Sequence, residues 1–285
     1  MKKFLLGTAA LVALGVPAIA ADMPVRRAPP APVFSWTGCY IGPKIGYDTG
    51  KSKVFSPPGA LTAGAVPGTV VLAPSGDITP QFNVNGLSGG GEVGCQVQWG
   101  VWVLGIEGDG EAASLSGQSF DLPPAFNPSF VNQTNVRWTS TLRGRLGYAW
   151  DKWLLYVTGG AAWAGVEETG WQACPAPGVC PGAGVITASG VPSAHDRKTM
   201  FGYAVGAGTA YALGYGWSIK SEYIFMQFKD KDFFNPPQVS TTGTPFLVVN
   251  PNRVSLYEHT FKWGLNYKFD FLGGKAPYAY AAATK

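Results

Sequence analysis

Charge is scarce in this chain of 285 residues: Asp, Glu, Lys and Arg together make up 13%, against roughly 25% in a soluble domain. A water-soluble globule of this length needs more, so that class is excluded. Histidine is scarcer still, with only His195 and His259. Zinc would want tighter ligand pairs with His partners than four cysteines and these two residues offer, so neither a metal nor a cofactor is expected. Apart from Arg26-Arg27 there is no basic cluster, which argues against nucleic acid as a partner. The glycines keep no three-residue period, so collagen is out. A mean hydropathy of +0.07 is too polar for a bundle of membrane helices.

What is present points elsewhere. The chain holds 39 Gly, 23 Pro, 10 Trp, 12 Tyr and 16 Phe, and 46% of it is hydrophobic, which a disordered chain would not carry. Lys2 and Lys3, an apolar stretch from Phe4 to Val16 and the Ala18-Ile19-Ala20 site read as a signal peptide, residues 1–20, cleaved between Ala20 and Ala21. An anchor helix is disfavoured because the apolar run is short and ends at Pro17. Export implies an oxidising compartment, so Cys39, Cys95, Cys174 and Cys180 are disulfide candidates. Residues 21–35, rich in proline, read as a periplasmic linker.

From Trp36 the pattern becomes one of alternation, the mark of strands with two different faces. In Val136 to Trp150 the even positions are Val136, Trp138, Ser140, Leu142, Gly144, Leu146, Tyr148 and Trp150, and the odd ones include Arg137, Arg143 and Arg145. Trp102, Leu104 and Ile106 alternate with Glu107, Asp109 and Glu111; Trp217, Ile219 and Tyr223 alternate with Lys220 and Glu222; Phe261, Trp263 and Leu265 alternate with Lys262 and Asn266. Three tight connections are each flanked by aromatics: Trp99/Trp102, Trp150/Trp153 and Tyr215/Trp217. With Trp36 at the start and Phe269 at the end, these residues are expected to form the periplasmic aromatic girdle of a membrane barrel, because indole and phenol rings prefer the bilayer interface. A sandwich has no reason to place Trp at every short turn.

Each interval between those turns holds two strands and a long loop. Membrane strands need about 9–11 residues, which leaves loops near 50–87, 112–134, 167–198 and 228–253. The expected fold is therefore all-β, an eight-stranded antiparallel transmembrane β-barrel over residues 36–271, with 272–285 as a periplasmic extension. Met200 to Ile219 is uncharged and contains Gly202-x-x-x-Gly206, yet its five glycines, each unfavourable in a helix by about 1 kcal/mol, argue against a helical span.

Trp36-Thr37-Gly38-Cys39-Tyr40-Ile41-Gly42, Gly89-Gly90-Gly91-Glu92-Val93-Gly94-Cys95-Gln96, Gly105-Ile106-Glu107-Gly108-Asp109, Leu142-Arg143-Gly144-Arg145-Leu146-Gly147-Tyr148, Val205-Gly206-Ala207-Gly208 and Lys220-Ser221-Glu222-Tyr223 occur in that order. Together they resemble the small outer-membrane β-barrel proteins of alphaproteobacteria, the immunogenic 25- and 31-kDa proteins of Brucella and rhizobia often labelled "porin family". The resemblance implies an eight-stranded barrel in the outer membrane of a Gram-negative bacterium, with a part in envelope integrity and surface contact. It also implies insertion by the barrel-assembly machinery, which reads the aromatic end of the final strand. Here Tyr267-Lys268-Phe269-Asp270-Phe271 is followed by Leu272 to Lys285, so that signal is internal.

With odd residues facing lipid in the first two strands, Cys39 and Cys95 come level on one face and are expected to form a cross-strand disulfide; the alternative is two free thiols. Counted up from the rim, Lys44, Glu92, Glu107, Asp109, Arg143, Arg145, Lys220, Glu222 and Lys262 share one band of the lumen. Eight strands leave an interior barely wide enough for side chains, so these charges are expected to pair as a plug, the alternative being a narrow porin for passive diffusion of small solutes. No enzymatic activity is expected: His259 near the outer rim has no evident partner in Ser255 or Glu258, and Gly89 to Gly94 matches a dinucleotide fingerprint by letter only, since it enters a strand. The expected partners are outer-membrane lipids, the assembly machinery and an unspecified extracellular ligand of the loops.

Overall fold

The computed structural model describes residues 34–63, 70–123, 128–173, 192–234, 238–239, 248–249 and 252–269. The expected cleavage site at Ala20 and Ala21, most of the linker, the C-terminal extension and the Cys174–Cys180 pair lie outside those residues.

Eight long strands run in chain order: β1 Gly38–Ser56, β2 Phe82–Trp99, β3 Trp102–Phe120, β4 Phe130–Trp150, β5 Trp153–Gln172, β6 Pro192–Gly214, β7 Trp217–Phe228 and β8 Asn252–Phe269. Each pairs antiparallel with its sequence neighbour, and β8 returns to β1 from Cys39↔Phe269 to Phe55↔Arg253, closing the ring. Closure leaves no strand edge to hydrogen-bond with lipid. Short strands Gly76–Asp77 and Lys231–Phe233 pair with the far ends of β1 and β8.

The tight turns form where the alternation breaks. Gly100 has φ 61°, Asp151 φ 52°, Tyr215 φ 53° and Gly216 φ 84°, the left-handed values that two-residue hairpin turns require. Around them Trp99, Trp102, Trp150, Trp153 and Trp217 all face outward, and Trp102 meets Tyr148 edge-on with ring centroids 5.8 Å apart. Trp36 departs from the expected girdle. It precedes β1 and so escapes the pleat, and Gly38 at φ 138° lets the chain bend inward. Trp36 is 3% exposed and packs with Phe34, Leu154, Tyr156 and Ala210 across the mouth at the short-turn end. Its amide donates to Gln98 Oε1 (2.7 Å), its carbonyl accepts from Gln96 Nε2 (2.9 Å), and Lys268 Nζ donates to the Ser35 carbonyl (2.6 Å).

The strands outrun the expected length. Seven of them hold 18–23 residues and β7 holds 12, so much of what the spacing assigned to loops continues the wall. At ~3.3 Å per residue and a tilt of about 40°, a 20-residue strand stands about 50 Å tall, twice the ~25 Å apolar band of such barrels.

The wall reverses its polarity halfway up. Near the turns β1 sends Ile41, Ile45 and Tyr47 outward and Lys44 inward; beyond Gly50, Lys51 faces out while Ser52 and Val54 are buried. In β2, Val93 is outside and Glu92 inside, then Asn83 and Asn85 are outside and Phe82 and Val84 inside. In β8, Trp263 and Leu265 are outside and Lys262 inside, then Val254 and Leu256 are buried. The lower half is thus apolar outside and polar inside; the upper half encloses an apolar core of Val54, Phe82, Val84, Leu115, Val136, Met226, Phe228, Phe233 and Leu256 with their neighbours.

A β-bulge accompanies this reversal in β4. Trp138 pairs with Gly165 and Val136 with Val166, leaving Arg137 as the extra residue. The parity therefore switches: Val136, expected on the greasy outer face, is fully buried, while Arg137, expected with the inward basic residues, faces out. One added residue on one strand is all such a switch needs.

Candidate functional site: the charged storey of the lumen

The nine charged residues singled out by level on the strands are all buried in the lower lumen, and the structure brings them into one connected set. Lys44 Nζ lies 3.0 Å from Asp109 Oδ2, 2.8 Å from Glu111 Oε1 and 3.7 Å from Glu92. Lys220 Nζ lies 2.6 Å from Glu92, 2.9 Å from Glu107 and 3.1 Å from Glu222. Arg143 donates from Nη2 to Glu107 (2.6 Å) and Asp109 (2.9 Å) and from Nη1 to Glu222. Lys262 donates to Glu111 at 2.5 Å. Many of these pairs join strands that are not neighbours: β7 reaches β3 through Lys220–Glu107, β4 reaches β7 through Arg143–Glu222, and β8 reaches β3 through Lys262–Glu111.

Sequence reasoning left Glu111 out of the set, although it continues the Glu107, Asp109 alternation. With it, five acids face five bases, a neutral tally that suits a space without bulk water. Tyr40 and Tyr156, which carry no formal charge, were also missed. The Tyr40 hydroxyl donates to Glu107 (2.5 Å) and accepts from Arg145 Nη1 (2.9 Å). The Arg145 guanidinium lies 3.5 Å from the centre of the Tyr156 ring, a stacked cation–π contact. Both rings need room, and glycine supplies it. A Cβ on Gly94 would sit 2.5 Å from the Tyr40 ring, and one on Gly208 2.5 Å from the Tyr156 hydroxyl. Glu92, Glu107 and Glu222 converge closely enough to resemble a metal site, but Lys220 Nζ already sits among all three carboxylates.

Above this set two buried acids have no ion pair among the described residues. Glu258 is fully buried with neither carboxylate oxygen hydrogen-bonded, and Glu168 holds Thr134 Oγ1 at 2.9 Å while its other oxygen is unbonded.

Outside the barrel, Cys39 and Cys95 face each other on β1 and β2, 4.0 Å apart at Cα, and are joined as a disulfide. His259 lies on the outer wall. Its Nδ1 is 2.7 Å from the Tyr223 hydroxyl, and the rings of Tyr223, Phe225 and Tyr257 surround it, which makes it part of an aromatic patch at the upper edge of the apolar belt.

Comparison with known proteins gives a consistent setting. Residues 6–269 match the family model described as an outer membrane protein beta-barrel domain. The 31 kDa outer-membrane immunogenic protein of Brucella melitensis is 32% identical over 278 residues, which cover 94% of this chain and all of that protein. The 22 kDa outer membrane protein of Rhizobium leguminosarum is 23% identical over 212 residues, 73% of this chain and 72% of that one. Among solved structures, Ail, the attachment invasion locus protein of Yersinia pestis, aligns over 82% of this chain and all of its own at 11% identity, with a TM-score of 0.34.

Proposed function

Because this chain belongs to the outer membrane protein β-barrel family and lies in the outer membrane, we propose that it is a closed, non-catalytic barrel acting in envelope integrity and surface contact rather than in solute passage. The observation that carries this reading is the cross-lumen tie. Arg143 on β4 reaches Glu222 on β7, and Lys220 on β7 reaches Glu107 on β3, at side-chain exposures of 0–2%. A permeating solute would have to break several buried, charge-assisted contacts together, each removal leaving an uncompensated ion. Below the tie Trp36 covers the mouth, and above it the apolar core fills the ring. The long upper half of the wall then serves to lift the loops away from the membrane, where they meet the outside.

Liposome swelling tests the reading. Proteoliposomes of the purified barrel in isotonic sugars of graded size should swell no faster than protein-free liposomes. Swelling whose rate falls as the sugar grows would favour the narrow porin and sink the closed reading.

A further inference from the structure

The bulge that turns Arg137 outward builds a site the lumen does not use. Arg137 Nε and Nη2 donate to Glu167 at 2.9 and 3.3 Å, and from the next strand but one Arg197 Nε donates to the same carboxylate at 3.0 Å. His195 Nδ1 lies 3.4 Å from its other oxygen. Two guanidinium groups therefore share one carboxylate, leaving a net positive charge whether or not the imidazole is protonated. Both remain open to the surroundings, with side-chain exposures of 55% and 67%. A guanidinium has five N–H donors. Arg197 commits one of these to Glu167 and Arg137 two.

The position of this pair matters as much as its charge. Trp138 is the last outward aromatic on β4, and its indole lies directly over Gly165, where a Cβ would come within 2.0 Å of the ring nitrogen. Trp138, Gly165, Arg137, Glu167, Arg197 and Thr199 line a depression of about 560 Å³ on the outer wall. Outward side chains below it are apolar, Leu142, Leu146, Val157 and Val205 among them. With the short turns in the periplasm, the depression lies at the depth of the headgroups of the outer leaflet. An indole at its base and arginines above it match a lipid at that depth, acyl chains below and phosphate above.

We propose that Arg137 and Arg197 hold the phosphate of a lipid headgroup of the outer leaflet in this depression, with Glu167 holding the two arginines in place and Trp138 lying against the upper acyl chain. Planar, paired donors suit a phosphate better than a lysine ammonium would. A lone strand-to-strand clamp would not need the arginines at membrane depth, nor the glycine seat for the indole. The inference does not rest on the closed lumen, and its test reads a different property.

Native mass spectrometry of the barrel, purified in detergent micelles doped with a bis-phosphorylated lipid A, counts bound lipid. Wild type should keep one lipid, and the Arg137→Gln/Arg197→Gln double variant should show occupancy about tenfold lower. Dephosphorylated lipid A should bind neither. Glu167→Gln keeps a side-chain oxygen that accepts from the arginines while removing the charge that competes with phosphate, and should bind at least as well as wild type. Arg197→Gln alone leaves the Arg137–Glu167 pair intact and should fall between, while heat modifiability on gels confirms that each variant is folded. Equal lipid retention by wild type and the folded double variant would overturn the proposal. So would complete displacement of the lipid by millimolar inorganic phosphate, which would mark the depression as a site for free phosphate.

Discussion

The lower and upper halves of the barrel are built from the same eight strands and are mirror images in polarity. Below, Lys44, Glu92 and Lys262 point in while Ile41, Val93 and Trp263 point out; above, Val54, Val84 and Leu256 point in while Lys51 and Asn83 point out. The upper half obeys the ordinary rule of a soluble barrel, and the lower half inverts it because its solvent is lipid. The difference teaches that burial alone does not sort residues here. What the outer face meets decides it, and the inner face takes what is left. Charge can be buried below because Lys220 and Arg143 each touch acids on several strands. Above, the same strands close mainly on methyl groups and rings.

If that contrast is right, deleting a cation below should be the most damaging single change. Lys220→Met removes the cation shared by Glu92, Glu107 and Glu222 and leaves the buried set with one uncompensated negative charge, and urea unfolding in detergent micelles should show a loss of about 3–5 kcal/mol, the usual cost of breaking a buried pair from one side. A loss under 1 kcal/mol would mean the lower lumen is wet enough to screen its acids. Leu256→Ala, in the upper core, should cost about 2–4 kcal/mol by removing buried methyl groups. It should leave the heat-modified band in place, since the lower ring is untouched. The two losses should add, because Lys220 belongs to the charged set and Leu256 to the apolar core, which share no member.

Smaller effects sharpen the boundary between the halves. Glu258 sits just above the charged set with neither oxygen hydrogen-bonded, so Glu258→Gln should be within about 1 kcal/mol of neutral or slightly stabilising. Glu222→Gln, which deprives Arg143 and Lys220 of a partner, should be clearly destabilising by the same assay. The smallest effect lies beyond the membrane at the end of β3. Burial pushes the Asp121 carboxyl up to about 7 despite its hydrogen bond from Asn132 (2.7 Å). Because the folded-state value is raised, the stabilising contribution is present below the unfolded value near 4 and is lost as pH rises toward 7. Hydrogen exchange of the Asp121 amide, which donates to the Phe130 carbonyl (3.0 Å), should be better protected at pH 5 than at pH 8 after correction for intrinsic rates. Asp121→Asn should remove that difference.

The lower half was legible in the sequence because its two faces meet such different surroundings that period-two alternation appears in nearly every strand. Levelling from the aromatic turns even brought Glu107, Arg145 and Glu222 to one height, and parity brought Cys39 opposite Cys95. The upper half was not legible. There both faces mix polar and apolar residues, as in Ser52, Val54 and Ser56 against Lys51, Lys53 and Phe55, and such stretches read as loops. Arg137 failed for another reason: a bulge adds one residue and reverses every assignment beyond it, and no composition signal marks it. Trp36 failed because alternation governs only residues held in the pleat, and it stands two residues before β1. Tyr40 and Tyr156 were missed because a search for charged side chains overlooks a phenol that donates to a carboxylate or stacks on a guanidinium. The glycines opposite them, Gly94 and Gly208, were the available sign.

Single-channel recording in planar bilayers tests the central claim most directly. Wild-type protein, shown to be inserted by heat modifiability of the recovered sample, should give no discrete steps at either polarity. Reproducible steps of uniform conductance from the wild-type barrel would contradict the closed lumen.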